Sequence, residues 1–236
     1  MYKRQVYGKG LTGLKNLGNS CYMNSVLQAL FDLDLYRTYF QNMNPDIGVN
    51  PAEDLASQLL KIYDGLYSGR YSVPSPLKGE DYQLGVKPFV FKNLIGQNHA
   101  EFKTQRQQDA NEFLLYLLDK LDNEFGLKLN QDLKFVYTEK VICDNCKHGS
   151  LKNELLDNIS VPLEETLLST EEGKKIYKEV DLRDSFKKVV GPELIPEYNC
   201  DSCHAQVGVA LKSSGFTSFP KYLIVSAQRI KLENWT

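Results

Sequence analysis

The sequence predicts an α+β chain in which helices come first and strands second. Two observations carry this. Apolar residues recur at helical spacing as far as Phe125, and beyond Gly126 the chain turns to short β-branched and aromatic runs interrupted by two C-x-x-C pairs. With 236 residues, 42% of them apolar and 25% charged, the chain has a globular composition and room for one large domain or two modest ones.

The elements follow in order. Residues 11–20 are rich in Gly and Asn and read as a loop or turn. Met23, Val26, Leu27, Leu30 and Phe31 then fall at i, i+3, i+4, i+7 and i+8, the apolar face of a helix that starts near Cys21. Leu55, Leu59, Ile62 and Leu66 predict a second helix, and residues 68–88, with their Gly, Ser and Pro, a loop. A third helix runs through Ala110, Phe113, Leu114, Leu117, Leu118, Leu121 and Phe125. Residues 1–126 thus form a helical half and 127–236 a β-rich half. In the second half, 133–142 reads as a strand and 155–163 as its return. Residues 166–179 read as a charged, exposed excursion and 181–190 as a short helix. Residues 207–211 and 222–227 read as strands, the last an apolar run expected to be buried.

Composition removes several function classes. Twenty-eight basic against thirty acidic residues give a net charge of −2, which supplies no electrostatic grip on nucleic acid. Residues 1–10 carry charge without an apolar run, and no stretch approaches the roughly 18 apolar residues of a membrane helix. Five cysteines in such a chain favour a metal site plus one free thiol over disulfides, with a cytosolic or nuclear location expected.

The free thiol is Cys21, in Gly13-Leu-Lys-Asn-Leu-Gly-Asn-Ser-Cys21-Tyr-Met-Asn-Ser. A thiol attacks as thiolate, and an ordinary pKa of about 8.5 leaves little of it at neutral pH. Unpaired N–H groups and the dipole at a helix start stabilise the anion. Gly18 permits close backbone approach to a substrate. Asn16, five residues ahead, can aim an amide at the oxyanion formed on attack, a donor commonly worth roughly 3 kcal/mol. The plainer reading is a structural cysteine at a helix start. Gln107-Gln108-Asp109-Ala110-Asn111-Glu112-Phe113 opens the third helix, and acidic side chains there are explained by capping and the dipole alone. Cys143-x-x-Cys146 and Cys200-x-x-Cys203 offer four soft ligands in tight turns, as tetrahedral zinc requires. The 53 residues between the pairs (147–199) require the pairs to meet at the ends of long strands. Four thiolates leave zinc no open position, which makes it structural. His148 and His204 lie close enough to substitute as ligands, though four sulfurs are preferred.

The string from Gly13 to Leu30 resembles the cysteine box of the ubiquitin-specific proteases. Gln107 to Phe113 resembles that family's second signature, about ninety residues on and in the right order. The resemblance implies a papain-like architecture with a helical thumb, zinc-bearing β-rich fingers and part of a palm. It implies Cys21 as nucleophile and Asn16 as oxyanion donor. Asp109 becomes a contact to the arginine-containing tail of ubiquitin, with Glu112 as a further candidate. Many members carry a four-cysteine structural zinc at the tip of the fingers, as the two pairs here predict. Stretches beginning at Glu53, Leu66, Phe91, His99 and Phe219 also resemble the isopeptidase T branch and its fungal counterpart. That branch takes apart free polyubiquitin chains from the end bearing a free ubiquitin C-terminus.

One component is missing. A cysteine protease needs an imidazole within reach of the thiol, and the histidines here are His99, His148 and His204. His99 is expected in a surface loop and the other two beside the zinc cysteines. The family's histidine belongs to a late box, so the expectation is a fragment: the front of a catalytic domain, inactive alone. The rivals are a non-catalytic ubiquitin-binding module and, less in keeping with the balanced charge, a zinc-ribbon nucleic-acid module.

Overall fold

Ten residues of loop bring the chain to Cys21, where periodic apolar spacing becomes helix. In the computed structural model of the protein the described residues are 6–44, 48–126, 128–163 and 166–228. Leu127, where the sequence reading starts its β-rich half, and the terminal stretch ending in Trp235 and Thr236 lie outside them. The chain divides into two compact units, Met1–Asn130 and Gln131–Thr236.

In the helical unit, α1 (Cys21–Asp32) buries Tyr22, Met23, Val26, Leu27, Leu30 and Phe31. This includes every position on the predicted face. α3 (Leu55–Tyr67) buries Leu59, Ile62 and Leu66, and the carboxylate of its N-cap Asp54 accepts the Ser57 N–H at 2.6 Å. α5 (Ala110–Phe125) buries Phe113, Leu117, Leu118 and Leu121 and stops at Gly126, whose φ of 69° only glycine adopts readily. The structure adds two eight-residue helices absent from the sequence reading, α2 (Asp34–Gln41) and α4 (Phe89–Gly96). It also corrects the loop over 68–88, which holds a short antiparallel ladder of β1 (Pro74–Ser75) and β2 (Gly79–Gln83). Aromatic rings fill the centre: Phe40 meets Phe31 at 5.3 Å and Phe125 at 6.0 Å, both edge to face.

The β unit is built on a four-stranded antiparallel sheet whose strands lie in the order β4 (Gly149–Leu156), β3 (Phe135–Cys143), β9 (Gln206–Phe216) and β8 (Glu193–Asn199). β3 (Phe135–Cys143) runs into the first cysteine pair. The returning strand is β4 (Gly149–Leu156), which pairs with β3 from Phe135↔Leu156 to Ile142↔Gly149. The expected return over 155–163 is therefore corrected. Its apolar part is the end of β4 plus a separate β5 (Asn158–Pro162), which pairs parallel with β10 (Ile224–Gln228). The excursion over 166–179 folds into an exposed hairpin, β6 (Leu167–Glu171) and β7 (Lys174–Tyr177). α6 (Leu182–Val190) follows its N-cap Asp181. β8 (Glu193–Asn199), not read from the sequence, leads into the second cysteine pair, and β9 (Gln206–Phe216) leaves it. β10 is half-buried to exposed rather than buried, because among the described residues β5 is its single sheet partner. Phe135, Tyr137 and Ile159 form the unit's apolar core, packed by Phe186, Val189 and Val190 of α6 and by Phe216.

Candidate active site and metal centre

Cys21 is the first residue of α1, exposed and unpaired as a disulfide. The residue before it, Ser20, is a good capping type but no side chain caps this helix. Instead the buried Ser20 Oγ accepts the Leu17 N–H at 2.8 Å and donates to Asn16 Oδ1 at 3.2 Å. The first N–H groups of α1 are thereby left without that cap, beside the thiol, where an anion is favoured. Asn16 Oδ1 also accepts the N–H groups of Gly18 at 3.1 Å and Ser20 at 3.0 Å. Three donors on one oxygen fix the carboxamide and turn its NH2 end outward as the group left to donate. Gly18 is required by its φ of 91°, and a Cβ there would meet nothing within 4 Å. The space beside it is open.

The start of α5 is drawn to the same place. Tyr22, next to Cys21, packs edge to face on Phe113 at 5.3 Å and stacks on Phe102 at 5.8 Å. Burial pushes the Tyr22 phenol above its ordinary range, with the neighbouring Cys21 adding to the rise. Asn19, in a left-handed conformation at φ 55°, donates from Nδ2 to the Gln105 carbonyl at 3.0 Å. Two ties therefore join the Cys21 segment to the approach of α5. Asp109 is the N-cap of α5, and its Oδ1 accepts the N–H groups of Asn111 at 2.6 Å and Glu112 at 3.0 Å. This is the capping role that the residue type alone predicts. Asp109 and Glu112 are both exposed, and capping occupies one Asp109 oxygen while leaving the other. Gln108 holds the preceding loop by donating to the Glu101 carbonyl at 3.0 Å and Thr104 Oγ1 at 3.1 Å. Ser20, Asn19 and Gln108 were not singled out from sequence. Their signal was the density of short polar side chains around Asn16 and Asp109, which marks tight turns.

His99 is a packing residue. Its ring stacks on Phe102 at 4.0 Å and meets Tyr116 at 4.7 Å, and Nδ1 accepts the N–H groups of Glu101 and Phe102, each at 3.3 Å. The expected surface loop is thus half-buried at this residue.

The four remaining cysteines meet at the far end of the four-stranded sheet. Both pairs form the same turn. The N–H of the residue after the second cysteine bonds back to the first cysteine's carbonyl, Lys147 to Cys143 at 3.0 Å and His204 to Cys200 at 2.8 Å. Those two residues are left-handed, at φ 59° and 53°. The first cysteine's N–H in turn reaches the His148 or Ala205 carbonyl. Cys143 Sγ lies 4.0 Å from Cys203 Sγ and Cys146 Sγ 3.7 Å from Cys200 Sγ, and all four sulfurs fall within 4.8 Å of one another. That is too far for disulfides. Zinc–sulfur bonds of about 2.3 Å at tetrahedral angles place sulfurs about 3.8 Å apart, so the set can hold a metal such as zinc. Asn145 Nδ2 donates to Cys203 Sγ at 3.7 Å. Backbone N–H groups of Cys203, then Ser202, hold the Cys200 thiol down to about 7. The His148 backbone pulls the Cys146 thiol down, but burial and the three neighbouring thiols outweigh it and push it up to about 11. Four thiols in one site resist full ionisation unless a cation balances them, which is the charge a divalent metal supplies. Each histidine beside a pair contributes its backbone to a turn.

The structure thus presents an exposed thiol at a helix start and a carboxamide fixed nearby in the helical unit, and four convergent thiols in the β unit. The chain belongs to the ubiquitin carboxyl-terminal hydrolase family, whose sequence model matches residues 12–236. It is 36% identical to ubiquitin carboxyl-terminal hydrolase 14 of Schizosaccharomyces pombe, over 98% of this chain and 31% of that protein. Identity is 32% to human ubiquitin carboxyl-terminal hydrolase 5, over 96% of this chain and 30% of that protein. It is 35% to hydrolase 14 of Saccharomyces cerevisiae, over 94% and 27%. The chain thus spans about a third of the length of these relatives or less. The resemblance to isopeptidase T and its fungal counterpart is borne out by these relatives. The fold matches a chain of the SAGA Ubp8/Sgf11/Sus1/Sgf73 DUB module bound to ubiquitin aldehyde. The TM-score is 0.72 at 17% identity, covering 97% of this chain and 48% of that one. No helix among the described residues is long and apolar enough to cross a membrane.

Proposed function

We propose that these residues are the nucleophile-bearing part of a thiol-dependent deubiquitinase that cleaves the isopeptide bond after ubiquitin's terminal glycine. The observation that carries this reading is the Cys21 segment: an exposed thiol at an uncapped helix start, next to a carboxamide locked by three donors. The Cys21 thiolate attacks the glycine carbonyl carbon, and the Asn16 NH2 donates to the oxygen as it becomes an oxyanion. A base takes the Cys21 thiol proton as the thiolate forms and gives it to the lysine amine that leaves when the tetrahedral species collapses. Water then hydrolyses the thioester.

We place that base outside these 236 residues. His99 is engaged in packing, and His148 and His204 lie in the turns of the cysteine pairs. Asp109, through the oxygen its cap leaves over, and Glu112 receive the arginine-containing tail of ubiquitin. The four thiolates hold structural zinc. The resemblance to the isopeptidase T branch points to free polyubiquitin chains as the substrate class. The test is coupling of the full-length protein to ubiquitin carrying an electrophile at its C-terminus. Wild type couples and Cys21→Ala does not. Coupling that survives Cys21→Ala overturns the nucleophile. Ubiquitin affinity with no coupling by the wild type makes the protein a binding module instead.

A further inference from the structure

Asn16 can serve an oxyanion only if the segment that carries it keeps a fixed distance from α1. The hydrogen-bonding groups of residues 12–15 divide between two neighbours, β2 with the residues after it and α1. On one side Gly13 and Lys15 are satisfied by the end of β2 and the residues just after it. The Gly13 N–H reaches Gln83 Oε1 at 2.6 Å, the Lys15 N–H reaches the Val86 carbonyl at 2.7 Å, and the Gly13 carbonyl accepts the Val86 N–H at 2.9 Å. Leu14 and Val86 form the corresponding parallel bridge.

The other side faces α1, and a helix has no free backbone donors in its middle to offer. Side-chain amides take their place. Asn24 Nδ2 donates to the Lys15 carbonyl at 3.2 Å and reaches the Leu14 carbonyl at 3.4 Å. Gln28, one turn on and on the same face, donates from Nε2 to the Thr12 carbonyl at 3.1 Å. The Lys15 carbonyl belongs to the peptide bond that leads into Asn16. Asn24 stands three residues after Cys21, on the neighbouring turn of the same helix. It therefore links the oxyanion donor to the nucleophile through one side chain. The orientation that aims its NH2 at two carbonyls leaves Asn24 Oδ1 buried and without a partner. A buried acceptor left in that state is a cost, and it is carried where the two donated bonds are needed.

We propose that Asn24 is a positioning residue for the reaction: its amide acts as a surrogate strand that sets Asn16 against Cys21. The proposal rests on the deubiquitinase reading above. The test is a double-mutant cycle in the full-length protein, using ubiquitin with a fluorogenic amide on its terminal glycine. Asn24→Asp keeps the shape but turns acceptor oxygens toward two carbonyls, and lowers kcat on the order of a hundredfold, as a displacement of about 1 Å does. Asn24→Ala lowers kcat on the order of tenfold, and KM changes little in both. In an Asn16→Ala background neither change lowers kcat further, because Asn24 acts through Asn16. Alkylation of Cys21 by iodoacetamide, which displaces iodide and forms no oxyanion, keeps its wild-type rate in every variant. A merely structural role would give additive losses and would move alkylation as well, and either result overturns the proposal. So does wild-type kcat in Asn24→Asp. Wild type that never turns over defeats the deubiquitinase reading, whereas a Cys21-dependent enzyme indifferent to Asn24 defeats only this inference.

Discussion

The two units close their interiors by different chemistry. The helical unit is closed by carbon. Met23, Phe91, Phe113 and Leu118 are each at 0% exposure, and rings of Tyr22, Phe102 and Phe113 interlock around the Cys21 segment. The β unit has such a core only near its base, at Phe135, Tyr137 and Ile159. At its far end the cluster is Cys143 and Cys200 with Tyr198, Cys203 and Ala205. Strands there expose Leu151, Leu194 and Leu211, so little apolar burial holds that end. A sheet can extend that far from its core when its tip is tied by bonds to a metal.

Removing the proposed metal is the strongest way to break this contrast. Chelation, or Cys143→Ser, is expected to release the turns at both cysteine pairs. Structural zinc in small zinc-finger domains contributes about 10–16 kcal/mol at neutral pH. Amide exchange should rise at 141–149 and 198–207 and stay unchanged in α1, α3 and α5. Protection that persists at both pairs after exhaustive chelation would show that the thiols need no cation. The converse change is Phe113→Ala, which deletes a wholly buried ring that meets Tyr22 and Phe102. A loss of about 3–5 kcal/mol is expected in chemical denaturation of the helical unit. Exchange at the cysteine pairs should not respond.

What the sequence revealed follows the same division. α1, α3 and α5 each bury at least three apolar side chains at helical spacing, and this repetition is legible without a structure. α2 buries only Tyr36 and Phe40 in eight residues, too short for a period to stand out. β4 and β8 are exposed along most of their length, so they lack the alternation that marks a half-buried strand. The eye is drawn instead to the apolar residues around Leu155 and Ile159, and the returning strand is placed one segment late. The cysteine spacing needed no periodicity, and the four sulfurs converge as the spacing requires. Ser20 was hidden for another reason. Its type and position announce a helix cap, while its hydroxyl serves Leu17 and Asn16.

Smaller changes sharpen the comparison at single carboxylates. Asp109 caps α5 and is also proposed to receive the tail of ubiquitin. Asn caps as well as Asp, so the two roles separate. Asp109→Ala should lower the stability of the helical unit by about 1 kcal/mol, while Asp109→Asn leaves it unchanged. Both should weaken ubiquitin binding by the full-length protein, measured by calorimetry, because both remove the charge proposed to meet the arginine-containing tail. Full affinity in Asp109→Asn would leave Asp109 as a cap alone.

The smallest effect is expected in the β unit, at Asp181. Its Oδ1 accepts the Arg183 N–H at 2.8 Å, and the Arg183 guanidinium reaches both its oxygens, at 3.3 and 3.1 Å. The Arg183 side chain, then the Arg183 backbone N–H, holds the carboxyl below its ordinary value of 3.8, and the charge of Lys187 acts in the same direction. A carboxyl lowered in the folded state binds its proton more readily when unfolded. Its contribution is therefore complete above 3.8 and is lost as pH falls through the folded value beneath that. α6 packs Phe186, Val189 and Val190 on the apolar base of the unit, so loosening its first turn loosens that packing. Asp181→Asn keeps the cap and removes the charge. Wild type should be slightly the more stable near neutral pH, by denaturant midpoint, and the two proteins should converge as pH drops below 3.8. A difference that stays constant with pH would show that the ion pair with Arg183, exposed as it is, adds nothing to the cap.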